Sequence, residues 1–414
     1  MVVRSPSRGR LPLHSREQSP GLWSGNVRSL AFRPTNRSFV VLIFLILIFA
    51  FLSPGPHQEV LQSTTTSLSA FRDHLKEKYE LQLFRSQHGG PSKEIDAHAR
   101  PFQSISTTQS AAIDWSQYAY CQYATTVEYL CNSVMIFESL HRLNSSAERL
   151  LMYNSVWSLD NPNVDLTTPV SRLLLRARDD YGAVLQPVEI LRGDGEYTWQ
   201  ESFTKLLAFK QTQYKRVLSL DSDATILQPM DELFLLPSAQ VAAPLAYWLD
   251  EPVLSSQMIL IEPSEHEFAR VMEKIEGRTK QDFDMEIVNY LYLNSSMKIP
   301  HRGYDLLTGE FRKTNHTQYF FDKGDPRLQE EKERTAHWDA AAILEEAKFV
   351  HFSDWPMPKP WVVTLNADEL VEKTQPACVM GENGGEEDCS DRDAWLGLYE
   401  DFRERRANVC DALG

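Results

Sequence analysis

Apolar residues along this chain alternate between two spacings. "YAYCQYAT" (Tyr118 to Thr125), "RLLMYN" (Arg149 to Asn154) and "RVLSL" (Arg216 to Leu220) are short apolar runs of strand length. Between them, "EYLCNSVMIFESLHRL" (Glu128 to Leu143), "SRLLLRARDDYG" (Ser171 to Gly182) and "TWQESFTKLLAFKQT" (Thr198 to Thr212) repeat apolar positions at helical spacing. Strands alternating with helices predict an α/β fold, a mostly parallel sheet with helical crossovers. In such sheets ligands sit beyond the carboxyl ends of the strands.

The same pattern divides the chain. "FVVLIFLILIFAFLS" (Phe39 to Ser53) lies in an uncharged stretch from Ser38 to Pro56, near the lower limit of about 17–25 residues for a membrane-spanning helix. The expected organisation is a basic tail over 1–37, a signal-anchor helix over 38–56 and a stem over 57–113. A catalytic domain over 114–365 and a helical tail over 366–414 follow. The stem holds "STTTSLS" and "SISTTQS", compositions that do not build a core. In the tail, "DAWLGLYEDFRERRANVC" reads as an amphipathic helix through Trp395, Leu398 and Phe402.

Charge sharpens this picture. The net charge is −15, which argues against a nucleic-acid partner. Residues 1–37 carry seven Arg and one acid, so they hold +6 and the rest holds −21. The positive-inside rule keeps that head cytosolic and places the bulk in the lumen, as a single-pass type II protein. Asn144, Asn294 and Asn315 then become glycosylation acceptors. Among the five cysteines, Cys378 and Cys389 flank a Gly- and Glu-rich loop and are a candidate pair, and at least one cysteine must stay free.

The chemistry concentrates where Val217–Leu220 ends in Asp221, Ser222 and Asp223. Two carboxylates so placed repel, and a cation would offset the cost of burying them. Three readings stand. One is a solvated turn. The second is a clamp for a hard divalent cation shared with substrate phosphates. The third is an aspartyl-phosphate phosphatase, since Asp221 to Thr225 also fits D-x-D-x-T, with Asp282 and Asp284 as downstream acids.

"KLLAFKQTQYKRVLSLDSDATILQPMDELF" (Lys205 to Phe234) resembles the signature of family 8 glycosyltransferases, the glycogenin and galactosyltransferase-like group. "FDMEIVNYLY" (Phe283 to Tyr292) and "KFVHFSDWPMPKPW" (Lys348 to Trp361) are similar to two further family segments, in the right order. The resemblance covers about Tyr118 to Trp361. Within the family, "YDLLTGEFR" (Tyr304 to Arg312) looks like the fungal Golgi N-acetylglucosaminyltransferase branch.

This resemblance implies a Rossmann-like, GT-A type nucleotide-diphospho-sugar transferase: α/β, with a mixed, mostly parallel sheet flanked by helices. It implies retaining transfer from a UDP-sugar, in this branch UDP-N-acetylglucosamine, to a glycan acceptor. Asp221, Asp223 and His351 would hold Mn²⁺ or another divalent metal, and Lys359 would contact the diphosphate. Tyr123, Thr125, Thr126, Tyr129, Lys205 and Ser222 match positions around the nucleotide. Asp284 and Glu286 match carboxylates on the acceptor side, Trp355 and Trp361 fall near the sugar pocket, and Glu310 and Arg312 are branch-specific without a role. Three departures matter. Gln257 stands where the family has a small residue, Asp354 where it usually has Gly, and the His351-to-Lys359 gap is two residues longer than in glycogenin-like members, which bears on Lys359. Outside the transferase class, a non-catalytic luminal sugar-binding protein is the remaining alternative.

Overall fold

Strand β4 (Arg216–Leu220) is buried along its whole length, which is why it reads as an unbroken apolar run. It lies at the centre of a seven-stranded sheet of order β3-β2-β1-β4-β7-β6-β8. The other members are β1 (Tyr118–Ala124), β2 (Glu148–Asn154), β3 (Ala183–Val188), β6 (Val241–Pro244), β7 (Met258–Ile261) and β8 (Met297–Ile299). β3, β2, β1 and β4 run parallel, as do β6 and β8, while β7 opposes both β4 and β6. This computed structural model describes residues 113–193, 200–320, 337–364, 366–380 and 387–410, all within one compact unit. The mixed, mostly parallel sheet expected from the sequence is present.

The crossover helices start where local chemistry dictates. Helix α1 (Val127–Arg142) begins at Thr126, whose hydroxyl accepts the Tyr129 N–H. Helix α2 (Pro169–Asp179) has Thr168 as its cap and Pro169 in its first turn. Helix α3 (Glu265–Glu276) is capped by Ser264, and α4 (Asp284–Tyr292) follows Phe283. The third predicted helix is different. Ser202–Lys210 is a nine-residue 3-10 helix, and Phe203 to Phe209 are buried without a break. It contributes Phe203, Leu206, Leu207 and Phe209 to a core shared with Val217, Ile259 and Ile287. With every side buried, packing rather than one apolar stripe sets its geometry.

A second sheet sits at the end of the first. β5 (Ala224–Ile226) runs antiparallel to β10 (Phe349–His351), which runs parallel to β9 (Leu306–Leu307). The tail is not a separate appendage. Its helix, Ser390–Val409, buries Trp395, Leu398, Tyr399 and Phe402, and a disulfide from Cys410 reaches Cys131 of α1, 279 residues away. Cys378 pairs with Cys389 as the spacing suggests, and Cys121 is free and buried. The predicted anchor (38–56) and nearly all of the stem (57–113) lie outside the described residues. Among the described residues, no helix is long and apolar enough to cross a membrane.

A carboxylate, histidine and lysine cluster as candidate active site

Asp221 and Asp223 lie at the junction of the two sheets. The Asp221 N–H donates to the Gln257 carbonyl at 2.9 Å, and the Asp223 carbonyl accepts from the Phe352 N–H at 2.9 Å. Pairing of Ala224 with His351 sets the imidazole beside both carboxylates. His351 Nε2 is 3.1 Å from Asp223 Oδ1 and 4.0 Å from Asp221 Oδ2. One ligand atom from each of the three residues falls within 4.8 Å of the others. Ser222, between them, is buried.

Two lysines answer the negative charge. Lys205, 3% exposed, places Nζ 2.7 Å from Asp221 Oδ1 and 2.9 Å from Asp284 Oδ2. It also donates to the Ser256 carbonyl at 3.0 Å. Lys359 Nζ lies 2.9 Å from Asp223 Oδ2 and donates to the Phe352 carbonyl at 2.5 Å. Burial pushes the Asp223 carboxyl up, but the facing His351 and Lys359 charges outweigh it and hold it well below the usual range. At Asp221 burial wins: its carboxyl is raised, with Lys205 opposing and the Asp223 charge adding. Burial works against the charge on Lys205, yet Asp221 and Asp284 hold it protonated.

The first strand closes one side. β1 pairs with β4 through Cys121 and Ser219, so Tyr123 lies level with Asp221. Lys205 Nζ is 5.9 Å from the centre of its ring. Tyr129 meets Trp361 edge-on at 5.8 Å. Burial raises the Tyr129 hydroxyl, and the Asp223 and Asp221 charges add to that shift, so Tyr129 feels the same pair. Thr125 and Thr126 are partly buried in the β1–α1 loop, and the Thr126 hydroxyl caps α1.

The two carboxylates matched to the acceptor side each have a partner within the protein. Glu286 accepts the Phe283 N–H at 2.9 Å, closing the start of its own helix. Asp284 is 2% exposed and pairs with Lys205, which also meets Asp221. The phosphatase reading loses its parts too. Asp282 accepts the Thr279 N–H in a local turn, and the Thr225 hydroxyl accepts from Arg405.

Sequence reasoning missed Asp305 and the contacts of Asp354. Asp305 is fully buried, and burial pushes its carboxyl up to about 7. Nothing in "YDLL" announces an interior acid.

Two carboxylates and an imidazole within reach of one point suit a divalent cation that accepts oxygen and nitrogen donors. Asp221 and Asp223 each face a lysine, and the imidazole beside them adds a nitrogen donor. His351 turns Nε2 to the carboxylates, while its buried Nδ1 has no hydrogen-bond partner among the described residues.

Glucose N-acetyltransferase 1 of Aspergillus fumigatus is 45% identical over 326 residues, covering 73% of this chain and 79% of that protein. The chain belongs to the glucose N-acetyltransferase family. This bears out the resemblance to a fungal N-acetylglucosaminyltransferase-like glycosyltransferase. The protein of the same name from Gibberella zeae is 51% identical over 309 residues, covering 73% of this chain and 64% of the relative's length. No protein-family model matches the chain. Among solved structures, the galactosyltransferase LgtC with donor and acceptor sugar analogues is similar at 12% identity and a TM-score of 0.42. That match covers 61% of this chain and 94% of LgtC, a likeness too distant to carry an argument.

Proposed function

We propose that this protein is a retaining, divalent-metal-dependent glycosyltransferase that moves N-acetylglucosamine from UDP-N-acetylglucosamine to a glycan acceptor. The observation that carries the reading is the convergence of Asp221, Asp223 and His351, flanked by Lys205 and Lys359, at the carboxyl end of β4. Asp221, Asp223 and His351 would hold the cation, Mn²⁺ in this reading. When bound, it neutralises the diphosphate and lowers the cost of its leaving charge.

The chain's own residues do the rest. Lys359, partly exposed, donates from Nζ toward the diphosphate once substrate competes for it. Lys205 fixes the orientation of Asp221 and keeps the buried Asp284 compensated. Tyr123 and Tyr129 offer ring faces to the base, and Trp361 braces Tyr129.

We further place the protein in the Golgi membrane as a type II protein, on the strength of the basic head and apolar stretch. Exposure of Asn144, Asn294 and Asn315 accords with luminal glycosylation.

The deciding experiment incubates detergent-solubilised full-length protein with a panel of UDP-sugars, with Mn²⁺ or with chelator. Mn²⁺-dependent UDP release, fastest from UDP-N-acetylglucosamine, is expected. Phosphate release from monoesters without UDP release would replace this reading with the phosphatase.

A further inference from the structure

The Ser353–Trp361 stretch, which joins His351 to Lys359, contains no strand or helix. Lys359 must nonetheless reach the same carboxylate as His351. Something outside the loop has to hold its shape, and the contacts converge on one residue. Asp354 is 5% exposed. Its Oδ1 accepts from Arg312 Nη1 at 2.5 Å. Its Oδ2 accepts from Trp395 Nε1, and from the Tyr399 hydroxyl at 3.4 Å. Its carbonyl accepts the Met357 N–H at 2.7 Å, turning the chain toward Lys359. Arg312 also donates to the Trp355 carbonyl at 3.1 Å. Gly309 donates its N–H to the Ser353 carbonyl, and a Cβ there would stand only 2.8 Å from that oxygen.

Three features without a role therefore meet at one carboxylate: the Thr308–Arg312 turn, the acid in place of the usual Gly, and the C-terminal helix. We propose that Asp354 is a positioning residue that locks the His351–Lys359 loop to the C-terminal helix and so sets the geometry of the metal and diphosphate site. A buried ion pair is a poor device for stability alone, because desolvation offsets most of its attraction. Its directional bonds do fix a loop in one conformation. The same helix holds the other side of the site. Arg405 donates to the Thr225 hydroxyl beside Asp223 at 2.5 Å, and Arg406 lies 5.9 Å from the centre of the Trp361 ring.

The inference rests on the proposed metal-dependent reading, and the test separates the two. Mn²⁺ binding to the full-length protein, with and without UDP, is measured by calorimetry beside thermal melts. The variants are Asp354→Asn, Trp395→Phe and Trp338→Phe. The last removes the 2.6 Å bond from Trp338 Nε1 to Asp391 at the start of the same helix, so it loosens the helix without touching Asp354. Loss of a direct outer partner of a metal ligand typically weakens affinity by about 10–100-fold; Asp354 acts one step further out, through the loop, so the low end of that range applies. A fall in Mn²⁺ affinity of about that size is expected for Asp354→Asn and Trp395→Phe, with Trp338→Phe close to wild type. Kinetics should show the same split, a raised Mn²⁺ requirement and a raised KM for the UDP-sugar. Wild-type affinity in folded Asp354→Asn, or equal losses in all three variants, would overturn the positioning role and leave the proposed function standing. Should Asp354→Asn fail to fold, Trp395→Phe decides. A wild-type protein that binds neither Mn²⁺ nor UDP would remove the proposed function and this inference with it.

Discussion

At Asp223 a carboxylate faces a lysine at 2.9 Å and an imidazole at 3.1 Å. The sequence shows only two neighbouring acids, and from that view removing one should relieve repulsion and leave stability unchanged or raised. Neither Lys359 nor His351 is near in sequence, so their arrival could be read only from family motifs, while the pairing of Lys205 with Asp221 and Asp284 could not be read at all. The outcome now expected for Asp223→Asn is a modest fall in melting temperature, because Lys359 loses its counter-charge. Mn²⁺-dependent UDP release should drop by about 10²–10³-fold or more. Near-normal release in the folded variant would mean that Asp221-Ser-Asp223 is no clamp. Asp305 makes a pH prediction. Its folded pKa of about 7 exceeds the unfolded value, which is about 3.9. The unfolded chain therefore sheds this proton first as pH rises. Stability from this group is full below about pH 4 and declines between about pH 4 and about pH 7. Asp305→Asn removes that slope, so without added metal the variant should gain on wild type as pH rises through this window. Parallel melting-temperature curves would assign the buried charge elsewhere.

Among the elements, α1 and α2 are legible from their helical period, and β1, β2 and β4 because each is a long enough apolar run to stand out. β9, at two residues, and β5, β8 and β10, at three each, carry too few positions for any period. Yet β5 and β10 bring His351 to Asp223. The Ser202–Lys210 segment carries a helical stripe in its sequence, and tertiary packing on every side tightens it into a 3-10 helix. The C-terminal helix was also seen, but its docking depends on partners far away in sequence. The Cys378–Cys389 pair, 11 residues apart, could be inferred, whereas Cys131–Cys410 could not. That long-range bond yields an element-scale prediction. Cys410→Ser should destabilise the domain by roughly 2–5 kcal/mol, lowering the melting temperature and hastening proteolysis of the C-terminal helix. An unchanged melt would show that the helix holds by packing alone.

For the molecule as a whole, the topology of the proposal predicts that everything after residue 57 is protected from protease in sealed microsomes and cut once detergent is added. Cleavage without detergent would overturn it. Synthesis brings another constraint. Ribosomes build the chain from its amino end, so Cys131 emerges 279 residues before Cys410 exists. At about 5–20 residues per second this is a wait of roughly 15–60 s. Throughout that interval the nearest other thiol is Cys121, only ten residues upstream. An early bond between those two would tie β1 to α1 in a form that the finished domain does not contain. Burial of Cys121 in β1 removes that rival only once the sheet has formed. The final bond is thus also a signal of completion. A ribosome that stops before Cys410 releases a chain with an unpaired Cys131, the kind of exposed thiol on which exchange chemistry can act.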